Sequence, residues 1–246
     1  MRRTLIALAV VSVLLLTASV PASAQSWFAF RINPSSSMWT CVTTPCFSDL
    51  PYSFTTLMFG GTGFIQVPGS RLGVRVNFDT GSLSSWSPLT LYNDGSWRYY
   101  DVSLAFPISM ATGQVLVFAG YGNHAWSAGF SGTTISTQTA SGLVFGADAM
   151  VPLRAPWYFT ASAAFGTGLN YKYANPPGID PRSLGAATSS VYSAALGYML
   201  PTSNFNVELG WRSGGFRVTS ITSLDPSAAN QDVRWQGWFL GLSTRR

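Results

Sequence analysis

The segment from Ser190 to Arg212 alternates in a way that few folds allow. In its second half Phe205, Val207, Leu209 and Trp211 fall on one side, and Asn206, Glu208, Gly210 and Arg212 on the other. A strand turns successive side chains to opposite faces, so this run is a two-faced strand, apolar on one side and charged on the other. The first half repeats the pattern, with Tyr192, Ala194, Leu196, Tyr198 and Leu200 set against Ser193, Ala195 and Gly197. Between them lies Pro201-Thr-Ser-Asn204, where proline has no backbone N–H to give to a ladder. The unit is a hairpin with a tight turn.

Similar units recur. Short proline-bearing breaks lie at Val67 to Ser70, Pro107 to Gly113, Pro152 to Pro156 and Pro201 to Asn204. Between them run longer polar stretches rich in Ser, Gly, Asn, Asp and Pro, at 34–53, 80–95, 123–140, 168–188 and 214–231. This spacing predicts ten strands, near 26–33, 54–66, 71–79, 96–108, 114–122, 141–151, 157–167, 189–200, 205–213 and 232–243, with eight as the main alternative.

Composition decides what such strands face. Hydrophobic residues make up 47% of the 246 and charged residues 9%, against roughly 25% charged in ordinary soluble domains. No internal segment approaches the ~20 consecutive apolar residues of a membrane helix. High apolar content diluted by alternation fits strands with one face to lipid and one to a polar interior. The expected fold is all-β: one antiparallel, up-and-down transmembrane β-barrel over residues 25–246, with short turns on one side and long loops on the other. Trp97, Tyr99 and Tyr100, Trp157 and Tyr158, and Trp235 and Trp238 are expected at the membrane interfaces, where a ring is half buried and its polar atom wet.

Residues 1–24 have the three parts of a secretory signal peptide. Met1-Arg-Arg3 is basic, Leu5 to Leu16 is apolar, and Ala22-Ser-Ala24 offers a cleavage site. Without the two leader arginines the formal charge of +5 falls to +3. The bases are scattered singly, which argues against a nucleic-acid surface. Export implies an oxidising environment, so Cys41 and Cys46, the only cysteines, are expected to close a small loop as a disulfide.

The faces opposite the apolar ones carry Arg31, Arg71, Arg75, Asp101, Asp148, Glu208, Arg212 and Arg234. Charges there must pair or meet water, so a charge network lining the lumen is expected. Basic groups outnumber acidic ones in that set, so an open lumen would favour anions. His124, the only histidine, stands in Asn123-His-Ala-Trp-Ser127. In a regular strand His124 and Ser127, three apart, face opposite ways, which works against a hydrolytic pair. Gly60-Gly-Thr-Gly63 lacks the lysine and helix of a phosphate loop and is expected to permit a bend or a close strand contact. Asp49, Asp79, Asp94, Asp180 and Asp225 lie singly in or beside the loops. No metal site or cofactor is expected.

Across nearly all of residues 25–246 the chain resembles outer-membrane β-barrel proteins in general, in pattern and without a diagnostic motif. It departs from their pattern after Trp235, Trp238 and Phe239, where Gly-Leu-Ser-Thr-Arg-Arg246 follows in place of a terminal aromatic. The resemblance implies location in the outer membrane, with membrane lipid and the barrel assembly machinery as partners. The expected function is non-enzymatic, in envelope integrity or surface interaction through long loops. The alternatives are a narrow passive channel and a lipid-modifying hydrolase centred on His124.

Overall fold

The structure, a computed structural model, describes residues 26–41, 52–85, 94–130, 133–174, 182–221 and 231–245. The signal-peptide segment lies outside them. Ten strands follow one another: β1 (Ser26–Cys41), β2 (Tyr52–Gln66), β3 (Gly73–Ser85), β4 (Asp94–Met110), β5 (Gly113–Phe130), β6 (Thr133–Pro152), β7 (Trp157–Ala174), β8 (Arg182–Met199), β9 (Phe205–Ile221) and β10 (Gln231–Arg245). Each pairs antiparallel with its chain neighbours, and β1 pairs with β10 to close the barrel. The count is ten, not eight.

The four short connections lie at one end, together with the first and last rungs of the barrel. Val67 N–H donates to Leu72 O (2.9 Å), Leu153 N–H to Trp157 O (3.0 Å) and Leu200 N–H to Phe205 O (3.2 Å). The β4–β5 turn needs Gly113, whose φ is +153° and whose missing Cβ would run into the Met150 carbonyl on β6.

At the other end the strands run well past their expected limits. β6 has 20 residues and β5, β7 and β8 have 18 each, where about 9–11 suffice to cross the hydrocarbon. Much of 34–41, 80–85, 94–95, 123–130, 133–140, 168–174, 182–188 and 214–221, expected as loop, is hydrogen-bonded ladder. Those stretches resemble loops in sequence because Ser, Thr and Gly are frequent in them. The physical reason for their pairing lies inside: the alternation inverts its phase. On β9 Phe205, Leu209 and Trp211 point out, whereas Phe216 and Val218 point in. On β10 Trp238, Leu240 and Leu242 point out, and Val233 and Trp235 point in. β4 does the same, with Tyr100, Val102 and Leu104 outside and Trp97 and Tyr99 inside.

Phase inversion marks where lipid ends. Below it every strand exposes large apolar side chains, from Ile32 on β1 through Leu104 (64% exposed) and Leu143 (74%) to Leu242 on β10. No soluble surface of this kind is stable in water, and lipid is its natural solvent. Aromatic pairs edge the belt: Trp157 and Tyr198 (4.9 Å between centroids) towards the short turns, Trp211 and Trp238 (5.6 Å) and Phe165 and Tyr192 (5.4 Å) towards the long loops. Leu104→Arg, set between Tyr100 and Ile108, is expected to cost about 2–4 kcal/mol in urea unfolding from lipid vesicles, against about 0–1 for a like change near an interface.

The interface aromatics are corrected by parity. Trp238, Tyr100 and Trp157 face outward as expected, but Trp235, Trp97, Tyr99 and Tyr158 are buried in the interior. Adjacent or odd-spaced positions on a strand cannot share a face.

Candidate functional site: the braced lumen

Inward residues of the belt meet across the barrel axis. Arg75 on β3 bonds Asp101 on neighbouring β4, and through Nε and Nη2 grips both oxygens of Asp148 on β6 (2.6 and 3.2 Å). Its guanidinium lies 3.8 Å over the Phe118 ring of β5. Arg212 on β9 reaches the whole way to Asp79 on β3, 133 residues away in sequence. Arg31 on β1 joins the same carboxylate at 3.3 Å and donates to Thr62 Oγ1 (2.7 Å) and Asn77 Oδ1 (2.9 Å). Asn77 Nδ2 then donates to Asp101 Oδ2 (3.0 Å), which also accepts from Tyr99 OH (2.7 Å). One hydrogen-bonded set thus links β1, β2, β3, β4, β6 and β9.

Small residues make room for it. A Cβ on Gly60 would collide with the Asp79 carboxylate, so of the two expected roles, a bend or a close strand contact, Gly60 serves the second. Ser162 donates to Asp148 Oδ1 (2.6 Å) and Ser103 to Asp101 Oδ1 (3.3 Å). Buried carboxylates are tolerable only when so surrounded.

Six of the eight expected lumen charges are inward: Arg31, Arg75, Asp101, Asp148, Glu208 and Arg212. Glu208 takes hydrogen bonds from Tyr158 OH (2.9 Å) and Ser243 Oγ (3.0 Å). Two expectations are corrected. Arg71 sits exposed in the β2–β3 turn, just before the ladder resumes. Arg234 is on the outer wall, its side chain 64% exposed, where it pairs with Asp232 at 2.9 and 2.6 Å. It shares parity with Trp238, and the phase inversion conceals this in the sequence. Asp79, expected beside a loop, is the missing member; its i, i+2 spacing from Asn77 and Arg75 carries the signal. Among the described interior residues, four carboxylates (Asp79, Asp101, Asp148, Glu208) therefore face three arginines (Arg31, Arg75, Arg212), so the expected basic excess is overturned.

Towards the long-loop end an aromatic layer lies directly on the network. Trp97 stacks near Phe216 (6.1 Å between centroids) and meets Trp235 edge-on (6.4 Å). Trp235 in turn lies 5.7 Å from the Arg212 guanidinium. His124 is wholly buried in this layer, 4.4 Å from the Tyr99 ring, and among the described residues neither ring nitrogen has a hydrogen-bond partner. Ser127 faces the other way, paired with Ser96 at 2.8 Å on the outer wall, as its spacing from His124 predicts. Cys41 ends β1, but its side chain and Cys46 lie outside the described residues, as do Asp49, Asp180, Asp225 and the side chain of Asp94. Among the described residues no cluster of three His, Cys, Asp or Glu could hold a metal.

No family model and no curated sequence matches the chain. Solved structures do. The outer membrane protease OmpT from Escherichia coli aligns over 92% of this chain and 98% of its own, at 9% identity and a TM-score of 0.51. The fold is that of an outer-membrane β-barrel. The translocator domain of the autotransporter NalP from Neisseria meningitidis aligns over 99% of this chain and 98% of its own, at 12% identity and a TM-score of 0.43. At such identities the likeness is one of architecture, and the lumen must be read from its own residues. That of this outer-membrane barrel carries a crossed ion-pair brace under an aromatic layer.

Proposed function

We propose that the protein is a closed, non-conducting barrel that serves the envelope or the cell surface through its outer end. The observation that carries this is the pair of links across the axis, Arg75 to Asp148 and Arg212 to Asp79. Small barrels of about eight strands fill with side chains, whereas sixteen leave a channel, and ten lie near the filled limit. The long β5 to β8 strands support the reading, since they extend the wall beyond the lipid and carry the loops outward. His124 offers a hydrolase little: it is enclosed by rings and, among the described residues, has no carboxylate or hydroxyl at hydrogen-bond distance.

The test is electrical. Purified protein in a planar bilayer is expected to give no discrete openings in molar salt. Reproducible unitary steps from the wild-type barrel would sink the closed-lumen reading and favour the passive channel.

A further inference from the structure

Above the belt the outer wall changes character in a way the closed lumen does not explain. Among the described residues, the charged side chains of the wall beyond the long-loop girdle are Arg98, Lys172, Arg217 and Arg234, with one acid, Asp232. The balance is strongly basic. Arg98 is two residues past the girdle residue Tyr100, Arg234 four from Trp238 and Arg217 six from Trp211. At about 3.4 Å per residue these bases stand some 7–20 Å along the strand from the girdle. With strands tilted about 35–45°, that is roughly 5–16 Å above the girdle, from the headgroup layer of about 5–7 Å outward into the space that a glycolipid's sugars fill.

Two grooves in this band hold hydroxyls beside the bases. One, on β4 to β6, gathers Ser96, Ser127, Thr137 and Thr139 around Arg98; Lys172 pairs in register with Thr139 at its edge. The other, on β7 to β10, sets Thr188, Ser190 and Ser213 beside Arg217 and Arg234. They measure about 500 and 570 Å³, room for a sugar ring with its phosphate and more than a bare ion needs. Phe165 and Tyr192 of the girdle form part of the second groove, so it is continuous with the lipid-facing belt. Guanidinium groups grip phosphate through paired N–H donors, and serine and threonine hydroxyls exchange hydrogen bonds with sugar hydroxyls. Asp232 holds the Arg234 guanidinium by two bonds while leaving it exposed.

We propose that this basic, hydroxyl-lined collar binds the phosphorylated sugar headgroup of an outer-leaflet glycolipid. The assignment goes beyond the closed lumen and would stand if the lumen conducted. It depends on the belt being in the membrane with the long-loop end outward.

The experiment combines native mass spectrometry with thermal unfolding of the detergent-purified full barrel. The probes are bisphosphorylated lipid A, its dephosphorylated form, phosphatidylglycerol and inorganic phosphate. Lipid A is expected to be retained and to raise the melting temperature, with both other lipids at least about tenfold weaker, the scale of removing one charge-assisted hydrogen bond. Inorganic phosphate alone is expected to do nothing. The variant R98Q/K172Q/R217Q/R234Q should lose the preference. Equal binding of all three lipids, stabilisation by free phosphate alone, or an unchanged preference in the variant would each overturn the proposal. Should the fourfold variant not fold, R98Q/K172Q and R217Q/R234Q serve separately; an unchanged preference in both has the same meaning.

Discussion

Replacing Arg75 by methionine is expected to destabilise the barrel by about 3–5 kcal/mol, the scale for removing one partner of a buried ion pair. Arg75 is 1% exposed and serves two carboxylates, Asp101 and Asp148, so its loss leaves two negative charges without their cation. Tyr99, Asn77, Ser103 and Ser162 remain as donors, but they are neutral and cannot balance charge. The measurement is urea unfolding followed by tryptophan fluorescence, with gel mobility before and after boiling as a second readout. R75M/D101N/D148N should recover much of the stability, because breaking a pair is harmful mainly through the charge left behind. An effect of R75M below about 1 kcal/mol would mean that water reaches both carboxylates, and the brace would have to be abandoned.

The second large effect separates two tryptophans three residues apart. Trp235→Ala removes a side chain that is 1% exposed, packed near Trp97 and the Arg212 guanidinium, and should cost about 3–5 kcal/mol through the cavity it leaves. Trp238 is 61% exposed on the outer wall, where lipid takes the place of a missing ring. Trp238→Ala should therefore cost less than about 1.5 kcal/mol, chiefly its edge interaction with Trp211. Quenching by brominated lipid adds an independent check: Trp238 fluorescence should be quenched and Trp235 spared. Equal costs with equal quenching would mean that the phase of β10 is wrong.

These two sites show which features are local to the chain and which are not. The hairpin around Pro201 is legible, because side-chain direction in a strand has period two whatever the strand packs against. Phe205, Val207, Leu209 and Trp211 are outward, Asn206, Glu208, Gly210 and Arg212 inward, and the turn closes with the Leu200 to Phe205 hydrogen bond. Closure, ten strands and a charged interior follow from repeating that unit under a composition too apolar for water.

The order of residues does not say which face of a strand looks outward beyond the lipid. There water lies outside and the packed core inside, so the same alternation means the opposite thing. Trp235, Phe216 and Trp97 are hidden by that inversion, and Arg234 changes sides because of it. Nor can alternation pair charges across the axis. Arg212 and Asp79 are 133 residues apart, and their bond exists only because closure sets β9 against β3 over a narrow lumen. Alternation along each strand is a local property of the chain. What each face touches is decided by the medium outside the barrel and by the opposite wall within it.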